Sequence, residues 1–129
     1  MNISEVARIV DLPVKTVRYY ADIDLVAPAS RNTNGYRQYD DTSIRKLTFI
    51  KRARSFGFSV KECRELLGLY EDRNRSSTDV RAIAKERLED IKIKQQELQL
   101  LHDELNIFVK ACKGDNRPDC PILQGLANA

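Results

Sequence analysis

The sequence predicts a mainly α-helical protein, and three observations indicate this fold class. Apolar residues recur every three or four positions over most of the 129 residues, which is the period of an amphipathic helix. The chain has few helix-breaking residues, with five Gly and four Pro. Its 42% hydrophobic and 32% charged residues exclude a disordered protein. One small domain that carries an extended helix is therefore expected.

Two short helices joined by a tight turn are predicted at the N-terminus. The first has an apolar stripe with Ser4 placed to cap it, formed by Ile3, Val6, Ala7, Ile9 and Val10. The second starts near Pro13 or Val14, because Pro is tolerated in the first turn of a helix. The pair is a helix-turn-helix candidate. Its second helix carries side chains suited to DNA contact, namely Lys15, Thr16, Arg18, Tyr19 and Tyr20.

A basic hairpin is predicted to follow. Asn34-Gly35 favours a tight turn, since both residues accept positive φ. Two arginines and two tyrosines flank it, namely Arg31, Tyr36, Arg37 and Tyr39. An ordinary surface turn with solvated arginines fits the hairpin alone equally well. Its position after the helix-turn-helix favours a wing that lies against the phosphate backbone.

Two further helices are predicted between the hairpin and residue 70. Caps and negative charge for the third helix come from Asp40-Asp41-Thr42-Ser43, and Arg54 lies on its basic face. Ser59 and Glu62 form a capping box for the fourth. Cys63 lies among apolar residues of that helix and is expected to be a small buried hydrophobe.

A long helix is predicted over residues 76–111. It carries a heptad pattern that is apolar at six of eight core positions, namely Ala84, Arg87, Ile91, Lys94, Leu98, Leu101, Leu105 and Phe108. Such a helix extends roughly 50 Å, beyond what a small core covers. A second copy of the chain is the expected partner, with Ile91, Leu98, Leu101 and Leu105 at the interface. An intramolecular docking surface is less favoured, because little chain remains to supply one.

Charge is distributed unevenly along the chain. Residues 1–75 carry 14 Lys/Arg and 10 Asp/Glu, a net +4, whereas residues 76–129 carry 8 and 9, a net −1. A basic N-terminal half suits nucleic acid. No apolar run approaches the ~20 residues that span a bilayer, and the first residues do not resemble a signal peptide. A cytoplasmic protein is expected, in which three cysteines are thiols or metal ligands rather than disulfides.

Cys112 and Cys120 lie in a predicted loop after the long helix, marked by Gly114, Asn116 and Pro118. Two thiolates held by a short loop favour Cu(I) and other soft ions. Zinc prefers four ligands, which Asp115 and Asp119 could help to supply, so zinc remains a lesser alternative. Incidental redox chemistry of the two cysteines is the remaining interpretation. No His or acidic residue is paired with a Cys in the sequence pattern, and an enzyme is not expected.

Taken together, these motifs resemble the MerR family of transcriptional regulators over nearly the whole chain. The matching segments are Ile3-Ser-Glu-Val-Ala7, Val17-Arg18-Tyr19-Tyr20, Leu25, the Arg31–Tyr39 wing and the Gly57-Phe58-Ser59 bend. Two positions depart from the pattern. Ala21 replaces a common acidic residue, and Asp24 replaces a common Gly. Asp tolerates the left-handed conformation, so the fold is expected to be retained.

The C-terminal half is similar to the copper-responsive, CueR-type branch of that family. The similarity lies in the spacing of Cys112 and Cys120, the Asp119-Cys120-Pro121-Ile122 stretch, and Ser77. Members that sense divalent ions usually carry Cys at the Ser77 position. The resemblance therefore implies a two-cysteine site for Cu(I), with Ag(I) or Au(I) as alternatives, and Ser77 as the selectivity residue. Two thiolates on a +1 ion leave a net charge of −1, which a buried site must offset.

These observations predict three segments: a winged helix-turn-helix DNA-binding domain (1–75), a dimerisation helix (76–111), and a metal-binding loop with a tail (112–129). The expected DNA contacts are Lys15, Thr16, Arg18, Tyr20, Arg31, Tyr36, Arg37 and Arg54. The resemblance implies a homodimer with an antiparallel coiled coil, which distorts promoter DNA so that RNA polymerase transcribes copper-efflux genes. The alternatives are a regulator that senses Zn, Cd or a redox signal and, more remotely, a copper-buffering protein.

Overall fold

The computed structural model describes residues 1–128, and this part of the chain is mainly helical as expected. Within it, two short strands form one antiparallel hairpin, with Ser30 opposite Gln38 and Arg31 opposite Arg37. No helix in the described residues is both long and apolar enough to cross a membrane. The elements are α1 (Ile3–Val10), α2 (Val14–Asp22), β1 (Ser30–Arg31), β2 (Arg37–Gln38), α3 (Asp41–Ser55), α4 (Val60–Glu71), α5 (Ser77–Ala111) and α6 (Pro121–Ala127).

The chain divides into two compact units, Met1–Arg87 and a second that begins at Leu88. The first unit contains α1 to α4, the hairpin and the start of α5. Its largest fully buried side chains come from α1, α2, α3, α4 and the segment before the hairpin, namely Val6, Val17, Val26, Leu47, Ile50 and Cys63. Ile83 of α5 packs against this core. The functional division at residues 75 and 111 stays a prediction.

The N-terminal cap of α1 differs from the expected one. Asn2, not Ser4, is the N-cap: its Oδ1 accepts from the Glu5 amide at 2.9 Å, and Glu5 Oε2 accepts from the Asn2 amide at 3.3 Å. Asn is as good a cap as Ser, and the acidic residue three positions later completes a capping box. Ser4 therefore lies in the first turn.

The left-handed residue after α2 is Asp24, as expected. Its φ is +59°, which Asp tolerates better than most residues. Arg64 of α4 holds this turn, because its Nη1 donates to the Asp24 carbonyl at 3.0 Å and its Nη2 to the Ile23 carbonyl at 2.8 Å. The segment from α2 to the hairpin is thus fastened to α4.

The caps of α3 and α4 are those that the sequence predicts. Asp40 caps α3, and Ser59 with Glu62 forms the capping box of α4. Cys63 is fully buried, and burial raises the pKa of its thiol. It is therefore a neutral, poorly nucleophilic packing residue at neutral pH.

The second unit contains most of α5 and the short helix α6. No residue of α5 is buried within the chain. Its apolar side chains include many large ones that face solvent in a single copy: Leu88, Ile93, Leu98, Leu100, Leu101, Leu105, Ile107 and Val109. A helix that exposes this much apolar surface has a surface suited to a partner.

Candidate DNA interface and metal loop

Helix α2 presents one polar face to solvent and one apolar face to the core. Val17 and Tyr20 are buried, whereas Lys15, Arg18 and Tyr19 are exposed. The helical period places 17 and 20 on one side and 15, 18 and 19 away from it. The exposed face supplies two cations and a phenol, which are groups that contact phosphates and base edges.

Tyr20 is less accessible than a DNA-contacting residue was expected to be, with 8% of its surface exposed. Its ring centroid lies 6.0 Å from that of Tyr19, whose side chain is 44% exposed. Tyr20 also borders a surface cleft. Tyr20 therefore acts mainly in packing, and Tyr19 offers the larger surface to a ligand.

A cleft of about 350 Å³ lies beside α2, and Arg54 of α3 is at its edge. The remaining lining residues are Lys15, Thr16, Tyr19, Tyr20 and Val60. Arg54 is held in place because its Nη1 donates to the Phe58 carbonyl at 2.7 Å. The structure thus places four of the predicted DNA contacts, Lys15, Thr16, Tyr20 and Arg54, around one depression.

The hairpin is present as predicted, but its turn is of another kind. Within the hairpin loop, only Gly35 has positive φ, at +81°, so Asn34-Gly35 does not form a two-residue turn with both residues left-handed. The Gly35 amide donates instead to the Asn32 carbonyl at 2.9 Å, and the Asn32 amide to the Tyr36 carbonyl at 2.8 Å. Asn32 Oδ1 accepts from the Asn34 and Tyr36 amides, each at 3.0 Å. The Asn32 side chain stabilises this longer loop by an Asx-type contact.

The wing brings its basic residues close to α2. Arg18 borders a cleft of about 680 Å³ together with the wing residues Arg31, Tyr36 and Arg37. Arg31 Nη1 donates to the Gly35 carbonyl at 2.8 Å, and Arg37 Nη2 lies 2.6 Å from Asp22 Oδ1. Four of the predicted DNA contacts therefore line one concave basic surface, with two of the guanidinium groups already oriented by the protein.

Tyr39 lies under this basic surface, with 2% of its surface exposed. Burial raises the pKa of its hydroxyl, and the charge of nearby Arg37 partly offsets the increase. The Tyr39 ring is therefore neutral at neutral pH. It supports the wing from the core side rather than contacting a ligand.

Cys112 and Cys120 lie at the two ends of a loop in the second unit. Cys112 directly follows α5, and its amide donates to the Phe108 carbonyl at 3.1 Å. Cys120 is the N-cap residue of α6, which starts with Pro121. Both cysteines are half-buried and neither forms a disulfide.

The loop favours the thiolate form of Cys120. The amides of Leu123, with the larger effect, and Ile122 donate to its sulfur, and Cys112 forms a side-chain hydrogen bond with it; these contacts lower the pKa of the Cys120 thiol. The thiolate is the form that binds metals. The two sulfurs are thus close together, and one of them is prepared for deprotonation.

Within residues 1–128, no three or more His, Cys, Asp or Glu side chains form a group that could hold a metal ion. Asp115 is already engaged, since its Oδ2 lies 2.6 Å from Arg117 Nη2 and its Oδ1 accepts from the Arg117 amide at 3.0 Å. These contacts lower the pKa of Asp115. His102 is exposed and lies beside Asp103. The donor set in one chain is therefore two sulfurs, which fits a soft monovalent ion better than tetrahedral zinc.

Helix α6 and the role of Gly125 were not predicted from the sequence. A Cβ on residue 125 would overlap the ring of Phe108, so any residue larger than Gly must displace that ring or move α6 away from α5. This contact closes the loop that ends in Cys112 and Cys120. Pro121 at the first helical position was the available signal for α6.

The comparisons with known proteins agree with this arrangement. A family model described as "MerR HTH family regulatory protein" matches residues 1–69, and one described as "MerR, DNA binding" matches residues 44–107. The chain belongs to the MerR family. MerR proteins are DNA-binding transcriptional regulators and not enzymes, which confirms two predictions made from the sequence.

MerR proteins similar to this chain include regulators from several bacteria. The transcriptional regulator HmrR of Rhizobium leguminosarum bv. viciae is 52% identical over 128 residues, with 99% of this chain and 98% of that protein covered. CueR of Salmonella typhi is 39% identical over 127 residues, covering 98% and 92%. The structure of PbrR691 from Ralstonia metallidurans CH34 in complex with lead(II) superimposes with a TM-score of 0.78, at 29% identity and 98% coverage of both chains.

Proposed function

We propose that this MerR regulator is a homodimeric activator that senses Cu(I), and also Ag(I) or Au(I), through Cys112 and Cys120. The observation that carries the proposal is the loop in which two sulfurs interact, with amide donors directed at Cys120. The similarity to regulators called heavy metal-dependent and to a lead(II)-bound relative supports metal sensing in general. The two-sulfur donor set supports the narrower choice of a monovalent soft ion.

Zinc is disfavoured by the surroundings of the loop. A zinc site needs four ligands in most proteins, and Asp115 would have to leave Arg117 to supply one. Asp119 is exposed and would add only a single further oxygen. Two thiolates from one chain satisfy Cu(I), because a soft monovalent ion prefers soft sulfur ligands.

The exposed apolar row of α5 supports a dimer. Leu98, Leu101 and Leu105 are 64%, 61% and 50% exposed, respectively, and Ile91 is half-buried. These residues repeat at heptad core positions, which favour packing against another helix of the same kind. Burial of each leucine side chain contributes about 1.5–3 kcal/mol, so the row strongly favours association.

An antiparallel dimer would place the start of one α5 beside the end of the other. Ser77 is the first residue of α5, and Cys112 directly follows its last. Ser77 of the partner subunit would then lie near the loop, where amides at a helix N-terminus help to offset the −1 charge of a dithiolate site. Cys112 and Cys120 would hold the ion as thiolates. Because Ser77 carries a hydroxyl and not a thiol, the site has two thiolates rather than three.

The N-terminal unit supplies the DNA-binding output of the proposed sensor. Lys15, Thr16 and Arg18 of α2 reach the major groove, with the accessible edge of Tyr20. Arg31, Tyr36, Arg37 and Arg54 contact backbone phosphates and so fix register. The ion-bound dimer bends and untwists promoter DNA, at a cost of about 1–6 kcal/mol for smooth bending. RNA polymerase then reads promoter elements that are otherwise misaligned, and genes of copper efflux or detoxification are transcribed.

The proposal is tested by DNA binding and transcription measured side by side. Promoter DNA should be bound both with and without Cu(I), whereas transcription in vitro should rise only with Cu(I), Ag(I) or Au(I). Induction by Zn(II), Cd(II) or an oxidant instead would identify a different signal. Binding of copper with no affinity for promoter DNA would indicate a buffering protein and contradict the proposal.

The Ser77→Cys variant tests the selectivity assigned to Ser77. A third thiolate near the loop should add affinity for Zn(II) or Hg(II), because divalent soft and borderline ions prefer three or four ligands. We expect at least about a tenfold gain in Zn(II) affinity, equivalent to 1.4 kcal/mol. Thr78→Cys is the matched control. Equal Zn(II) affinities for the wild type and Ser77→Cys would argue against a dimer in which Ser77 faces the loop.

The Gly125→Ala variant tests whether the contact of α6 with α5 holds the two sulfurs together. The added methyl group collides with the Phe108 ring, and over-packing of this kind costs about 1–3 kcal/mol. Moving α6 away from α5 also moves Cys120, so affinity for Cu(I) in a chelator competition should fall about tenfold.

Gly68→Ala is the control for Gly125→Ala, because Gly68 is also inside a helix but a Cβ there meets no atom within 4 Å. It should leave Cu(I) affinity unchanged and raise stability slightly through helix propensity. Unchanged Cu(I) affinity in Gly125→Ala would show that the α6 contact does not position Cys120.

A further inference from the structure

An ion pair connects α2, which is the proposed recognition helix, to the wing. Asp22 is the last residue of α2, and Arg37 lies in β2. Arg37 Nη2 lies 2.6 Å from Asp22 Oδ1, with the side chains 23% and 55% exposed, respectively. Among the described residues it is the one ion pair between α2 and β2, and Arg37 also lines the basic cleft described above.

Apart from this pairing, the position of Asp22 is electrostatically unfavourable in two respects. A carboxylate at the C-terminus of a helix opposes the helix dipole. Beside a surface that binds a polyanion, its charge also repels phosphates and lowers affinity for DNA. A carboxylate with these two electrostatic costs is explained if it also makes a favourable interaction.

The hairpin register provides that interaction. Arg31 lies directly opposite Arg37 in the antiparallel pair, and like charges in this arrangement repel each other. Arg31 is held by the Gly35 carbonyl, and Asp22 draws Arg37 toward α2. The two guanidinium groups are therefore directed by different acceptors, and the wing is joined to the recognition helix by a charge-assisted hydrogen bond.

We propose that Asp22 is a positioning residue for DNA specificity: it fixes the direction of Arg37, and with it the wing, relative to the recognition helix. This inference rests on the DNA-binding part of the proposed function. With Asp22 present, Arg37 contacts phosphates only where the operator geometry matches. Without it, Arg37 is free to contact the phosphates of any DNA sequence, so binding becomes stronger in general and less selective.

The test compares Asp22→Asn with Asp24→Asn. Each substitution removes one negative charge from the same region. Asn tolerates the left-handed conformation at position 24, and the Asp24 contacts to Arg64 involve only backbone carbonyls. Affinity is measured for an operator selected with wild-type protein from random DNA, and for an unrelated duplex of equal length, over a range of salt concentrations.

Asp22→Asn should lower the ratio of operator to non-specific affinity at least about tenfold. Its salt dependence on non-specific DNA should be steeper by about 0.9, the increment for one additional phosphate contact. In Asp24→Asn both affinities should rise together, with an unchanged ratio and an unchanged slope. Asp22→Glu, which retains the carboxylate, should recover most of the wild-type ratio.

Two results would overturn the role of Asp22. If Asp22→Asn and Asp24→Asn behave alike, the effect of the carboxylate is general electrostatics. If Asp22→Glu is as unselective as Asp22→Asn, the carboxylate is not the operative group. A selection that enriches no palindromic operator with wild-type protein would instead contradict the proposed function, and this outcome is seen before any variant is measured.

Discussion

Replacing either Cys112 or Cys120 with Ser should abolish the Cu(I)-dependent increase in transcription while leaving promoter binding nearly unchanged. A hydroxyl is a hard, neutral ligand at neutral pH and does not replace a thiolate on Cu(I). With one sulfur remaining, affinity for Cu(I) should fall at least about 100-fold. The side chains proposed to contact DNA are all in the first unit, whose core does not include Cys112 or Cys120.

The measurement is in vitro transcription at increasing free Cu(I), together with a promoter gel shift for each variant. Cys63→Ala is the matched control, because Cys63 is the third thiol and is fully buried. It should be less stable but retain the copper response. A retained response in both Cys112→Ser and Cys120→Ser would contradict the two-thiol assignment, whatever their effect on stability.

The second large effect is expected from Leu98→Glu combined with Leu101→Glu. Both leucines lie at adjacent core positions of the heptad row and are exposed in a single chain. In a dimer, four glutamates would be placed in an apolar seam, where an unpaired charge costs several kcal/mol. The dissociation constant of the dimer should therefore rise at least about 1000-fold, equivalent to roughly 4 kcal/mol.

Sedimentation velocity over a concentration series measures this change. Gln96→Glu is the control, because it adds a charge to α5 at a heptad position away from the row. The Leu98→Glu/Leu101→Glu variant should also bind less tightly to a promoter element with two inverted half-sites. Each half-site would then be bound by a separate chain rather than by one dimer. A dimer with unchanged affinity would show that the Leu98–Leu101 surface faces solvent or another partner.

The elements of the first unit could be predicted because their signals are local. Capping residues at Asp40 and at Ser59 with Glu62 stand at the starts of α3 and α4, and the apolar period identifies the buried faces. Asp24 could be placed in the left-handed region because few residue types tolerate it. Each of these features depends on a few neighbouring residues.

The structure differs from the sequence predictions where local signals compete or where tertiary packing determines the conformation. Asn2 and Ser4 are both good caps, and the Glu5 side chain selects Asn2. The Asn32 side chain selects a longer turn over the tight one that Asn34-Gly35 favours. Tyr20 is mostly buried because the helical period directs it to the core, so only its accessible edge can contact DNA as proposed.

Gly125 is the position beside the candidate metal site that sequence reasoning missed. A Gly inside a short helix is unfavourable by propensity, which is a signal that something approaches closely. The partner, Phe108, is 17 residues away in a different helix, and the contact is visible only in three dimensions. The site could therefore be predicted as two cysteines on a loop, but not the packing that brings their sulfurs together.

In the proposed site, two thiolates select a monovalent soft ion. This selectivity is tested most directly by metal stoichiometry and competition among Cu(I), Ag(I) and Zn(II) under reducing conditions, with wild-type protein and the Cys112→Ser variant. One tightly bound Cu(I) or Ag(I) per chain is expected, resistant to excess Zn(II) and lost in the variant. Zn(II) that displaces Cu(I), or tight Cu(I) binding that survives Cys112→Ser, would contradict the proposed site.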